Sequence, residues 1–153
     1  MVKLQRILLP TDLSEYSRHA LPYAAELAGV YRATLYLLHV VDIHWLGSVG
    51  AGDFGERVED FVHRFRHDSE VALERLKAEM QGLAVESALR LGTPHVEIVR
   101  FARETEADLV VLATHGRRGV SHALMGSVAE KVVQMAPCPV LSIKHPEHEF
   151  IMP

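Results

Sequence analysis

The stretch from Leu109 to Ser127 reads LVVLATHGRRGVSHALMGS, and it joins an apolar run to the start of an amphipathic one. The run 109–113 is continuously apolar, as is typical of a strand covered on both faces in a parallel sheet. Gly126 and Ser127 open a segment of helical periodicity that Pro137 ends. Because free amides and the positive dipole end meet at a helix N-terminus, this stretch predicts an anion site, with phosphate as the expected anion.

Outward from this stretch, apolar runs alternate with helical patterns. The predicted strands are 7–9, 35–41, 85–91, 109–113 and 140–144. The predicted helices are 15–28, 56–81, 94–104 and 127–135. The segment 85–91 alternates apolar and polar residues, which indicates a half-covered edge strand. The order β-α-β-α-β-α-β-α-β predicts an α/β fold, one doubly wound five-stranded parallel sheet with helices on both faces and right-handed crossovers.

Length and composition narrow the class of protein. With 153 residues, the chain is the size of one domain, which we expect to span 1–145, with a short tail at 146–153. A net charge of −4 argues against a nucleic-acid partner. The single Cys138 requires no oxidising compartment, and no apolar run approaches the roughly 18 residues of a membrane span. We therefore expect a cytoplasmic protein with no membrane partner.

Three strand ends carry residues suited to a ligand site. They are Pro10-Thr11-Asp12, the segment 39–42 with Val40, and Thr114-His115-Gly116. In open parallel sheets, ligands bind beyond the carboxyl ends of the strands, where the strand order reverses. The three ends are therefore expected to converge at one edge of the sheet.

These motifs together resemble the universal stress protein family. They are PTD at 10–12, HVVD at 39–42, LGTP at 91–94, ATHG at 113–116, GSVAEKV at 126–132 and PCPVL at 137–141, and they span nearly the whole chain. Nucleotide-binding members carry Gly, two residues, Gly, nine residues, Gly, then Ser or Thr. Here Gly116, Gly126 and Ser127 match, whereas Ala113 replaces the first glycine, adds one methyl group and keeps its amide. The resemblance implies a single Rossmann-like domain of the adenine nucleotide α-hydrolase type.

The resemblance also implies a site, a ligand and an assembly. The Asp12 carboxylate and the Val40 backbone would hold the adenosine end of ATP, and Gly116, Gly126 and Ser127 its phosphates. The other expected site residues are Pro10, Thr11, Ala113, Thr114, His115 and Val128. The protein would be a homodimer through 140–144 and a sensor or adaptor in the stress response. No Walker lysine follows the glycines, so only slow ATP hydrolysis is left open, with Mg²⁺ near Ser127 and Asp12.

Simpler interpretations stand beside these. Asp12 or Ser14 could cap the first helix and Ser127 the last one, and Gly116 could serve only a positive φ. A family member without nucleotide binding, acting as a protein-interaction module, is the alternative function. His63 and His67 share a helix face without an evident third metal ligand, so we interpret them as surface residues, and Cys138 as a packing residue. The glycine-rich segment 47–55 is expected to hold no structure alone and to act as a lid over nucleotide.

Overall fold

A computed structural model describes residues 2–49, 58–115 and 125–144 of the chain. In that part the strands are β1 (Arg6–Thr11), β2 (Thr34–Asp42), β3 (Val85–Gly92), β4 (Leu109–Ala113) and β5 (Val140–Ile143). The helices are α1 (Glu15–Arg18), α2 (Leu21–Tyr31), α3 (Ile43–Val49), α4 (Val58–Ala78), α5 (Pro94–Glu104) and α6 (Ser127–Met135). The strands pair in parallel in the order β3-β2-β1-β4-β5. The predicted five-stranded parallel sheet is confirmed.

Helices cover both faces of this sheet because successive strand residues point to opposite sides. Along β1, Ile7 and Leu9 join one buried cluster with residues of α2 and α4, whereas Leu8 joins a second cluster with residues of α5 and α6. All three are at most 1% exposed. Truncation of such a buried leucine to alanine typically costs about 2–5 kcal/mol. The continuous apolar runs therefore correspond to strands buried on both faces, as predicted.

The predicted helix over 15–28 is wrong in one respect, since the structure divides it into α1 and α2. Pro22 lies in the first turn of α2 and has no amide hydrogen to donate to the preceding turn. A continuous helix would need that bond, so α1 ends at Arg18 and α2 begins anew at Leu21. The apolar face is nevertheless as expected, because Ala20 and Ala24 are fully buried.

The segment after β2 also departs from the prediction. Residues 47–49 were expected to hold no structure alone, but they form the end of α3. Asp42 starts this helix, since its Oδ1 accepts hydrogen bonds from the amides of His44 at 2.9 Å and Trp45 at 3.4 Å. Leu46 then anchors the helix with 7% exposure. Residues 50–55 of the predicted lid lie outside the described residues, as does the tail from 145 onward.

The strand order defines where a ligand site belongs. The chain builds outward from β1 through β2 to β3, and α5 then carries it back across to β4 on the other side of β1. The order reverses between β1 and β4, so their carboxyl ends mark the topological switch point.

Candidate functional site

The β1–β4 ladder ends early at the switch point because β1 lacks one hydrogen-bond donor. The carbonyl of Arg6 accepts from the amide of Asp108, so even-numbered residues of β1 present their backbone groups to the β4 side. Pro10 is one of them and has no amide hydrogen. The β1–β4 ladder accordingly covers only Ile7↔Leu109 and Leu8↔Val110, although both strands run three residues further. Beyond these pairs the two strands are held by no further ladder pairing.

The loop after β1 holds Asp12 in a fixed conformation. The amide of Ser14 donates to Asp12 Oδ1 at 3.0 Å, and the Ser14 hydroxyl donates to the same oxygen at 2.5 Å. Ser14 is also the N-cap of α1, because its Oγ accepts from the amide of Ser17 at 3.2 Å. The capping interpretation is thus confirmed for Ser14, while Asp12 serves the turn that precedes the helix.

Leu13 adopts an unusual backbone conformation in the same loop. Its φ of 64° lies in the left-handed region, which non-glycine residues adopt at a cost of about 1–2 kcal/mol. The Thr11 hydroxyl stabilises it by accepting from the Leu13 amide at 3.0 Å, and it also exchanges a bond of 2.9 Å with the Ser17 hydroxyl. Thr11 is 8% exposed, so this network is shielded from water. A strained residue held by buried hydrogen bonds is typical of a functional loop.

The end of β2 lies beside this loop and extends past it. The β1–β2 register ends at Thr11↔His39, whereas β2 continues to Asp42. The amide of Thr34 donates to Gln5, so even-numbered residues of β2 face β1. Past the last β1–β2 pair, Val40 is therefore the first residue of β2 whose carbonyl points to the β1 side. The Val40 backbone therefore lies beside the end of β1, and its role toward a ligand stays a prediction.

His39 connects the two strand ends through its side chain. Its Nδ1 lies 2.8 Å from the Thr11 carbonyl oxygen, and the imidazole is 2% exposed. A carbonyl only accepts, so Nδ1 carries the hydrogen in this bond. His39 belongs to the HVVD motif at 39–42, but the sequence predicted no role for its side chain.

The end of β4 is joined directly to the start of α6. The amide of Gly126 donates to the Thr114 carbonyl at 2.7 Å, and the buried Thr114 hydroxyl lies 2.9 Å from His115 Nδ1. Gly126 is the N-cap of α6 and supplies no side-chain hydrogen bond to its first turn. Ser127 and Val128 are exposed there. The helix N-terminus thus lies at the carboxyl end of β4, as an anion site requires.

Of the remaining expected site residues, the structure describes Ala113 but not Gly116. Ala113 is the last residue of β4 and pairs with Ile143 of β5. Ala113 also packs against the buried cluster to which Ile143 belongs. Gly116 lies outside the described residues. The glycine pattern is therefore placed at Ala113, Gly126 and Ser127 only.

Other titratable groups give no second centre among the described residues. No group of three or more His, Cys, Asp or Glu side chains there has the arrangement of a metal site, and His63 and His67 are exposed as predicted. Burial raises the pKa of the half-buried Cys138 thiol, with Asp108 adding to the effect and a backbone hydrogen bond from Val110 opposing it. Cys138 packs against the α5 and α6 side of the sheet, which confirms its assignment as a packing residue.

Comparison with known proteins identifies the family. The family model described as universal stress protein matches residues 3–144. The chain belongs to the universal stress protein family. Universal stress protein MJ0531 of Methanocaldococcus jannaschii is 35% identical over 147 residues, covering 95% of this chain and 85% of that protein. In the described ranges of this family member, no helix is long and apolar enough to cross a membrane.

Two solved structures support the same fold. Protein MJ0577 of Methanocaldococcus jannaschii superposes with a TM-score of 0.84 at 27% identity, covering 95% of this chain and 99% of that one. A universal stress protein of Archaeoglobus fulgidus, solved in complex with dAMP, superposes with a TM-score of 0.60 at 25% identity, covering 94% of this chain and 100% of that one. The Rossmann-like architecture inferred from the motifs is confirmed.

Proposed function

We propose that this universal stress protein binds ATP in the crevice between the carboxyl ends of β1 and β4. The observation that carries the proposal is the early end of the β1–β4 ladder at Leu8↔Val110, beside the N-terminus of α6. The first-turn amides and the helix dipole would attract the phosphates, with Gly126 and Ser127 nearest to them. The complex of dAMP with the similar Archaeoglobus fulgidus protein supports an adenine nucleotide as the ligand.

The adenosine end would lie against the ends of β1 and β2. The Asp12 carboxylate can accept a hydrogen bond from a ribose hydroxyl, and the Val40 carbonyl can accept one from the adenine amino group. Guanine carries a carbonyl oxygen where adenine carries this amino group, so two acceptors would face each other. We therefore expect ATP to bind more tightly than GTP.

Mg²⁺ would enter with the nucleotide rather than occupy a site of its own. It requires hard oxygen ligands and commonly takes one or two from the protein and the others from phosphates and water. Ser127, exposed at the start of α6, fits this role, and so does the carboxylate of Asp12, which directly follows β1. When bound, Mg²⁺ would neutralise phosphate charge. Only slow hydrolysis is consistent with the absence of a Walker lysine.

We infer a regulatory role, as an ATP-binding sensor or adaptor of the cytoplasmic stress response. Small molecules released from the freshly purified protein are identified by mass spectrometry, and ATP and GTP affinities are measured by calorimetry. The proposal expects a bound adenine nucleotide and tighter ATP than GTP binding. Absence of both released nucleotide and ATP binding would instead select the protein-interaction module.

A homodimer through β5 completes the proposal. β5 forms one edge of the sheet, and the exposed apolar side chains Val133, Met135 and Leu141 lie on the last helix and the last strand. Thr114 donates to Ile143, so odd-numbered residues of β5 face β4 and the amide of Ser142 faces outward. An outward row of amides and carbonyls pairs readily with a second chain.

The substitution Ser142→Pro tests this assembly because it removes an outward donor while preserving the bonds to β4. Leu89→Pro on β3 is the matched control, since its amide faces outward at the opposite edge of the sheet. Light scattering should show a monomer for Ser142→Pro and a dimer for Leu89→Pro. A dimeric Ser142→Pro protein would refute assembly through β5.

A further inference from the structure

We propose that Ser14 is a positioning residue, which fixes the orientation of the Asp12 carboxylate for nucleotide binding. The inference rests on the proposed function and deepens it. Ser14 belongs to neither the glycine pattern nor the expected site residues. The juxtaposition that carries it is the contact of both Ser14 donors with one carboxylate oxygen.

The geometry of this contact restricts the side chain of Asp12. The Ser14 amide at 3.0 Å and the Ser14 hydroxyl at 2.5 Å converge on Oδ1. Two donors on one oxygen oppose rotation about the side-chain bonds, so they also determine the direction of Oδ2. A carboxylate that is already ordered loses less conformational freedom when a ligand binds.

The hydroxyl proton of Ser14 is directed to Asp12 by the start of α1. Ser14 Oγ accepts from the amide of Ser17 at 3.2 Å, which leaves its own hydrogen for Asp12 Oδ1. The chain of bonds runs from Ser17 through Ser14 to Asp12, and bonds in such a chain strengthen one another. Helix capping and carboxylate positioning thus use the two hydrogen-bonding sides of one hydroxyl group.

The backbone beneath Asp12 is held independently of Ser14. His39 donates to the Thr11 carbonyl at 2.8 Å, and the Thr11 hydroxyl accepts from Leu13 at 3.0 Å. The peptide groups on both sides of Asp12 are therefore fixed. The side chain of Asp12 has torsional freedom of its own above this backbone, and the two Ser14 donors restrict it.

A role limited to helix capping makes a different prediction, and a double-mutant cycle separates the two. ATP affinity is measured by calorimetry for the wild type, Ser14→Ala, Asp12→Ala and the double variant. Positioning predicts that Ser14→Ala weakens ATP binding about fivefold, as expected for one misdirected hydrogen bond. It also predicts that Ser14→Ala has no further effect once Asp12 is alanine, because there is no carboxylate left to orient.

Three further variants control for stability. Ser14→Thr keeps the hydroxyl and should restore affinity to within about twofold of the wild type. Ser14→Gly replaces Ser14 if Ser14→Ala folds poorly. Glycine is a good N-cap without a hydroxyl, so this variant should keep most of the folding stability and still lose ATP affinity. Ala20→Gly removes a fully buried methyl group at the junction of α1 and α2 and should lower the melting temperature without changing ATP affinity.

The outcomes are distinguishable. A wild-type protein that binds no ATP would overturn the proposed function and this inference with it. If the wild type binds ATP, an unchanged affinity of Ser14→Ala would overturn the positioning role alone. So would equal losses from Ser14→Ala in the presence and absence of Asp12, since a cap acts without the carboxylate.

Discussion

Replacement of Gly126 distinguishes a role of this glycine in phosphate binding from a role in packing alone. Gly126 has φ −57° and ψ 148°, a conformation open to any residue, so backbone strain does not explain the glycine. A Cβ added there would lie 3.0 Å from the Thr114 carbonyl oxygen, which is closer than an ordinary contact. The structure therefore attributes the glycine to close packing against the end of β4, and that contact must relax in any variant.

The variants Gly126→Ala and Gly126→Glu share this added Cβ and differ in charge. Relaxation of the contact and loss of a favourable N-cap residue should cost each about 1–2 kcal/mol of folding stability. The glutamate should recover about 0.3–1 kcal/mol, because a carboxylate is favourable at a helix N-terminus. Gly126→Glu is thus expected to be at least as stable as Gly126→Ala in thermal unfolding.

ATP binding should show the opposite order. A carboxylate about 5 Å from one phosphate charge is repelled by about 0.8 kcal/mol in water and about 3 kcal/mol at an intermediate dielectric constant of 20. Added to the steric block at the first-turn amides, this should weaken ATP binding by Gly126→Glu at least about thirtyfold relative to Gly126→Ala. Calorimetric titration of both variants measures the ratio. Equal ATP affinities would refute the assignment of phosphates to the start of α6.

Three further predictions concern side chains around the sheet. His39→Leu should destabilise the fold by about 1–3 kcal/mol because the buried Thr11 carbonyl loses its bond, whereas His39→Asn can replace Nδ1 and should cost less; chemical denaturation compares them. Gly92→Ala should cost about 1–3 kcal/mol, since its φ is 157° and a Cβ would lie 2.7 Å from Glu97 Cγ, and a melting temperature equal to the wild type would contradict this. Cys138 should react with iodoacetamide more slowly than a free cysteine at pH 8, because burial raises its pKa and reduces the thiolate fraction; an equal rate would contradict the packing assignment.

The strands were predictable because burial on both faces leaves a plain sequence signal. The runs 7–9 and 109–113 are apolar without interruption, and each corresponds to a strand in the structure. The order of the strands has no such local signal, since it depends on which edges meet across long sequence separations. The sequence therefore predicted a doubly wound parallel sheet, whereas the order β3-β2-β1-β4-β5 comes from the structure.

Two secondary-structure features were missed although single residues in the sequence indicate them. They are the division of the helix over 15–28 and the start of α3. Pro22 was sufficient to divide the helix over 15–28, yet the helical spacing of Ala20, Ala24 and Ala28 runs across it, and these three alanines lie in one buried cluster. Asp42 was sufficient to start α3, yet the glycines after it suggested a loop. For the site, the family resemblance proposed Asp12, and residue type offered Ser14 as a helix cap. The bonds from Ser14 to the Asp12 carboxylate and from His39 to Thr11 depend on the folded loop and could not be inferred from spacing.

Exceptions to local rules gather at the proposed site, and this supports it independently of the family resemblance. Pro10 lies in the central strand of the sheet, and Leu13 adopts a left-handed conformation. Leu13 differs from Arg32 and Glu106, the other non-glycine residues with positive φ in the described ranges, because those two follow helices, where such conformations commonly end a helix. Leu13 instead precedes a helix, so helix termination does not explain it. Both exceptions give up local stability, and both lie at the carboxyl end of β1. Exceptions to local rules are expected at functional sites, so these two support the proposal that the end of β1 takes part in ligand binding.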